Sequence, residues 1–204
     1  MLLIPGAEGW DVWKGSEELT LIKSSGEREA LSVDGVPGNN LIMAFPIRDV
    51  SAVPFLAATS DPGMFRDLAN LHLERSGLRA EESAGSLSDC FTIRVGEEET
   101  VLLPVVLSPP PEGGLPKKSP KGFDISARCF QLPPNSVVLW REFGRWVFAV
   151  ADDQSQVVYF QALPGAQFDA QLCREVALGT VQLGMQEVLS QPLTECQVLS
   201  LIHI

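Results

Sequence analysis

Apolar and polar positions divide the chain into short strand-like runs, two helical stripes and two stretches with no period. Trp10-Asp11-Val12-Trp13 alternates, and Leu19-Thr20-Leu21-Ile22 follows a turn at Gly15-Ser16, so the two runs predict a hairpin. Residues 24–39 are polar and carry Gly26, Gly35, Pro37 and Gly38, which predicts a loop. Residues 41–45 are an apolar run suited to a buried strand. Residues 50–56 predict another, which Pro54 pushes toward a sheet edge. A helix is expected over 61–77, with Ser60 or Asp61 as cap, Pro62 at its first position and Gly77 at its end. Met64, Phe65, Leu68, Leu71 and Leu78 make its apolar stripe. Residues 91–95 and 100–107 predict a second hairpin about Gly96-Glu97-Glu98.

Residues 108–122 contain Pro109, Pro110, Pro111, Pro116 and Pro120 with Gly113 and Gly114, and read as a linker or crossing segment. Three strands follow, at 136–140, 145–151 beyond a turn at Gly144, and 156–162 beyond Asp152-Asp153-Gln154-Ser155. A long helix is expected over 167–189, with Phe168, Leu172, Val176, Val181, Leu183 and Val188 on or near one face. Ala177, Gly179 and Gly184 would allow close packing. Strands followed by a helix, twice over, predict an α/β protein of two related units, 1–107 and 123–198, joined by 108–122. The second unit stops after its helix, where further strands would complete a mixed sheet. The last six residues, Leu199-Ser200-Leu201-Ile202-His203-Ile204, coincide with one translated frame of a transposon end used to tag DNA fragments. They are expected to be a scar that packs poorly and carries no function, with the natural chain cut near Val198.

Charge narrows the partners. With 15 basic and 26 acidic residues, net −11, the chain is a poor match for a phosphate backbone, and no nucleic-acid partner is expected. Cys90, Cys129, Cys173 and Cys196 lie far apart, so no metal knuckle or CxxC pair is present and reduced cytoplasmic thiols are expected. The apolar start, Met1-Leu2-Leu3-Ile4, lacks the basic and long apolar regions of a signal peptide, and no run is long enough to cross a bilayer.

Candidate chemistry is sparse. The sequence has no G-x-x-x-x-G-K-[ST], no G-x-G-x-x-G and no G-x-S-x-G. Apart from the terminal scar the one histidine is His72, expected to pack beside the first helical stripe. Glu97-Glu98-Glu99 reads as a solvated turn, and Asp152-Asp153 as a β-turn rather than a metal or acid–base pair. Trp10, Trp13, Trp140 and Trp146 are expected to pack within or between sheets. A duplicated sheet-and-helix plan is also that of actin-like ATPases, whose phosphate hairpins need Asp, Gly and a small hydroxyl residue so that backbone amides can approach phosphate. Val33-Asp34-Gly35-Val36 lacks the hydroxyl, and Asp152-Asp153-Gln154-Ser155 lacks the glycine. No catalytic, cofactor-binding or metal-binding residue is therefore assigned.

Several segments resemble one family. Leu41-Ile42-Met43-Ala44-Phe45-Pro46, then Val53-Pro54-Phe55, then a helix with Leu73-Glu74, is similar to the N-terminal region of type II secretion protein L and of the related type IV pilus protein PilM. Phe123-Asp124-Ile125-Ser126, Trp140, the strand at 146–151 and the helix at 167–189 resemble the second subdomain of that family. Gly9-Trp10-Asp11-Val12-Trp13 resembles divergent versions from pilus or secretion loci. The resemblance covers most of residues 1–190. It implies an actin-like, ribonuclease-H-like fold of two subdomains, the second incomplete, at the cytoplasmic face of the inner membrane. It also implies a non-enzymatic scaffold whose partners are a motor ATPase and inner-membrane assembly proteins. Membrane contact would come through those partners or through a segment beyond the cut. No cofactor is expected. The alternative is a PilM-like ATP-binding protein with a degenerate nucleotide site. Docking is expected on the exposed face of the 61–77 helix and on the 108–122 segment.

Overall fold

The computed structural model describes residues 1–15, 19–36, 40–78, 87–164, 169–185, 188–189 and 195–198. Its first sheet is built around β1 (Leu2–Pro5), the run that sequence left unassigned. The hairpin of β2 (Trp10–Lys14) and β3 (Thr20–Ser24) forms as expected, with β2 antiparallel to β1. On the other side β4 (Ile42–Phe45) lies parallel to β1, and β9 (Gly122–Ile125) parallel to β4. The order is β3-β2-β1-β4-β9. Residues 122–125 therefore extend the first sheet, and 108–121 is the segment that carries the chain back to it.

Between β4 and β9 the chain builds a second sheet. The single strand expected over 50–56 is broken at Val53-Pro54 into β5 (Val50–Ala52) and β6 (Phe55–Ala57). Both pair with β8 (Thr100–Leu107), which also pairs along its length with β7 (Leu87–Val95). The helix α1 (Pro62–Arg75) starts as expected, with the Asp61 carboxylate accepting from the Gly63 N–H at 2.9 Å and Pro62 in the first turn. It covers this sheet and not the first. Its buried face is Phe65, Ala69 and Leu73, and Met64 and Leu71 from the expected stripe are exposed. Phe65 joins Ala57 and Leu102 in a small core under the helix.

The third sheet holds β10 (Ser136–Glu142), β11 (Arg145–Ala151), β12 (Val157–Ala162) and β13 (Glu195–Val198), in the order β12-β11-β10-β13. A strand therefore follows the helix, parallel to β10, where sequence expected the unit to stop. Its four positions repeat the order β3-β2-β1-β4 of the five-stranded first sheet. The helix α2 (Ala170–Gly184) is shorter than expected, starting at an Asp169 cap that accepts from the Leu172 N–H. It buries Cys173, Ala177 and Val181, and leaves Leu172, Val176 and Leu183 exposed. The expected close contacts at Gly179 and Gly184 do not form, since a Cβ at either would meet open space. Residues 165–168, 186–187 and 199–204, on which parts of the helix reading and the terminal reading fell, lie outside the described residues.

The third sheet is buried on both faces, which is why its strands read as continuous apolar runs. Val138, Trp140, Val147 and Ala149 face a core shared with Ile4, Phe45 and Ile125 of the first sheet and Leu103 and Val105 of the second. Val137, Leu139, Phe148 and Val150 face α2. The far face of the first sheet is covered by Ala30, Val33 and Leu41 of the segment between β3 and β4, Ala30 opening a single 3-10 turn.

Candidate functional site

In an α/β sheet the crevice outside the carboxyl ends of the parallel strands is the usual ligand site, because loops and backbone donors converge there. Here the parallel strands β1, β4 and β9 end together at Pro5, Phe45 and Ile125. The turn from β10 to β11 fills the crevice. Glu142 pairs with Arg145, so the loop is the two residues Phe143 and Gly144. Both have positive φ, 49° and 79°, as a two-residue hairpin of type I′ requires. The Phe143 N–H donates to the Gly6 carbonyl at 2.9 Å and the Gly144 N–H to the Ala7 carbonyl at 2.6 Å. Gly6 and Ala7 belong to the β1–β2 turn, closed by the Gly6 N–H on the Gly9 carbonyl. The first hairpin turn of the first sheet is thus hydrogen-bonded to the first hairpin turn of the third.

Side chains complete the contact. Phe143 is buried in the core on the far face of the first sheet, edge-on to Trp10 at 5.2 Å between ring centroids. The Arg48 guanidinium lies 4.8 Å from its ring centroid. Trp10 is itself fixed by an Nε1–H bond to the Arg28 carbonyl at 3.0 Å. Gly9 allows a close approach here, since a Cβ would sit 2.5 Å from the Gly26 carbonyl carbon.

Beside Phe143, Glu142 is 1% exposed. Its Oε2 accepts from the Ile47 N–H at 2.8 Å, and its Oε1 from the Ser126 hydroxyl at 2.5 Å and the Trp140 Nε1–H at 3.0 Å. Ile47 follows β4 and Ser126 follows β9, so one carboxyl ties both exits from the first sheet to the third. Burial pushes its pKa up to about 7, against the three hydrogen bonds and the nearby Arg48, which pull it down.

Of the residues singled out by sequence, Trp10 and Trp140 reach this junction, and the others lie elsewhere and do not converge. The buried Asp152 Oδ1 accepts from the Gln154 and Gln156 N–H groups at 3.0 and 2.8 Å, a local turn. Asp34 pairs at 3.7 Å with Lys117 on the surface. His72 stacks on Phe55 with 4.3 Å between ring centroids, and burial lowers its pKa. Glu97, Glu98 and Glu99 are exposed around a Gly96 N–H to Glu99 carbonyl bond. The four tryptophans are buried. Burial pushes the Cys90 thiol up to about 11 and the Cys129 thiol to about 12, so neither is a reactive thiolate near neutral pH. Among the described residues no cluster of three or more His, Cys, Asp or Glu is placed to hold a metal.

Sequence reading missed the junction of Gly6, Ala7, Glu142, Phe143 and Gly144. Its visible trace was Glu142, Phe143 and Gly144 between two apolar strands.

The chain has the expected α/β fold, with three sheets and two helices among the described residues. No family model and no curated protein matches its sequence. Among solved structures it is similar to Cyto-EpsL, the cytoplasmic domain of EpsL, an inner membrane component of the type II secretion system of Vibrio cholerae. The TM-score is 0.52 at 14% identity, and the match covers 98% of this chain and 81% of that one. At such identity the likeness is one of fold.

Proposed function

We propose that this chain is a non-enzymatic scaffold domain of a secretion or pilus assembly platform. It would dock a motor ATPase and inner-membrane partners at the cytoplasmic face of the inner membrane. The likeness of nearly the whole chain to the cytoplasmic domain of a secretion-system component carries the reading. The strand-end crevice supports it, because protein groups already take the place where a ligand would meet backbone amides. Among the described residues no helix is long and apolar enough to cross a membrane. Docking is assigned to exposed helix faces and strand edges, including the outward face of α1 and the 108–121 segment.

Titration of the protein with Mg-ATP, and separately with the purified motor ATPase of its own gene cluster, tests this. The expected outcome is a saturable complex with the ATPase and no magnesium-dependent ATP binding at millimolar concentration. Micromolar, magnesium-dependent ATP binding would sink the scaffold reading in favour of a PilM-like nucleotide protein. Failure of the complex would remove the motor as partner.

A further inference from the structure

Glu142 is a fully buried carboxyl that no step of the scaffold reading uses. It stands where three parts of the fold meet. Its hydrogen-bond donors come from the exit of β4 (Ile47), the exit of β9 (Ser126) and its own strand (Trp140). The next two residues, Phe143 and Gly144, make the backbone bonds that close the two hairpin turns on each other. Moving Glu142 into water therefore means lifting the β10–β11 turn off the first sheet.

We propose that Glu142 is a protonation-controlled latch that holds the β10–β11 turn against the ends of β1, β4 and β9, tight when the carboxyl is neutral and looser when it is ionised. All three donors favour the charged form, yet burial outweighs them and the group ends near pH 7. A carboxylate in the closed latch is thus worse solvated than one in water. Opening exposes it and returns its pKa to about 4.5, the ordinary value. Below that value both states are protonated and the latch is tightest. From about pH 4.5 to 7 only the open state ionises, so the opening constant rises roughly tenfold per pH unit, about 300-fold in all. Above pH 7 both states are ionised and the constant levels off.

The surrounding charges leave this window to Glu142. Arg48, on the segment after β4, pulls the value down. Cys129, after β9, is held neutral by burial and by the Asp124 and Glu142 carboxylates. Asp49 is pushed up by burial and faces Arg48 and Arg145. It titrates on its own account, and a Glu142 variant separates the two.

Amide hydrogen exchange at Phe143 and Gly144, corrected for intrinsic rates, reads the latch between pH 4.5 and 8. In the natural protein, protection is expected to fall about 300-fold up to pH 7 and then stay level. In Glu142→Gln it is expected to be flat. Ser126→Ala removes one donor to the charged form, so the levelling point is expected to move above pH 7, and this variant decides the matter should Glu142→Gln fail to fold. One shared pH profile for the natural protein and Glu142→Gln would overturn the latch. So would an unmoved levelling point in Ser126→Ala. ATP and motor titrations are indifferent to all of these outcomes, so the latch and the scaffold reading fail separately.

Discussion

Phe143 holds a left-handed backbone conformation that L residues other than glycine, asparagine and aspartate rarely adopt. The cost is about 1–2 kcal/mol. Burying the ring against Trp10 contributes about 1.5–3 kcal/mol, which offsets it. The balance explains why an aromatic residue stands where a hairpin turn would ordinarily take asparagine. It also separates two truncations. Phe143→Ala loses the ring and keeps the strain, and is expected to cost about 3–5 kcal/mol. Phe143→Gly loses the ring and relieves the strain, so it is expected to be about 1 kcal/mol the more stable of the two. Urea unfolding of both variants checks the order. A glycine variant less stable than the alanine one would mean that strain at this position is negligible.

At the level of elements, local chemistry was legible and facing was not. The Asp61 cap and Pro62 announced α1 because a cap acts within a single turn. Of the expected stripes Phe65, Val181 and Val188 are buried, but Met64, Leu71, Leu172, Val176 and Leu183 are exposed, because the pattern favours large residues. In α2 the face that meets the sheet is Cys173, Ala177 and Val181, small enough for close approach, while Leu183 is 92% exposed. Which face is buried depends on the partner sheet, and no helical window contains that information. β1 was invisible for another reason: four residues are too few to display a period. The assignment of faces makes a contrast that runs against hydrophobicity. Ala177→Leu adds an apolar group to a fully buried position and is expected to destabilise by about 1–3 kcal/mol through overpacking. Leu183→Ala removes one and is expected to change stability by less than about 0.5 kcal/mol. Thermal melts of the two variants check the pair, and equal effects would contradict the observed face.

Across the whole molecule, the order of strands and helices was legible in the pattern, but the junction between the sheets was not. The segments 33–36 and 152–155 come nearest in composition to phosphate hairpins, whereas the turns that meet are 6–9 and 143–144, brought together only by the sheet order. That junction also bears on how the chain unfolds. A protein of this length, with two related units, could unfold in two steps. The packing argues for one. Ile4 and Phe45, Leu103 and Val105, and Val138 and Trp140 belong to three different sheets and to a single buried cluster. Separating any sheet would expose part of that cluster, and separating the first from the third would also break the bonds at Gly6, Ala7 and Glu142. Trp10 and Trp13 report on the first sheet, and Trp140 and Trp146 on the third. A variant with Trp140→Phe and Trp146→Phe keeps the first pair of reporters, and one with Trp10→Phe and Trp13→Phe keeps the second. Within each variant, tryptophan fluorescence and far-ultraviolet circular dichroism are expected to give coincident denaturant transitions, even though both variants are less stable than the natural protein. A fluorescence transition that precedes the circular dichroism in one variant and follows it in the other would show two independent units, and the shared core would then be too weak to couple them.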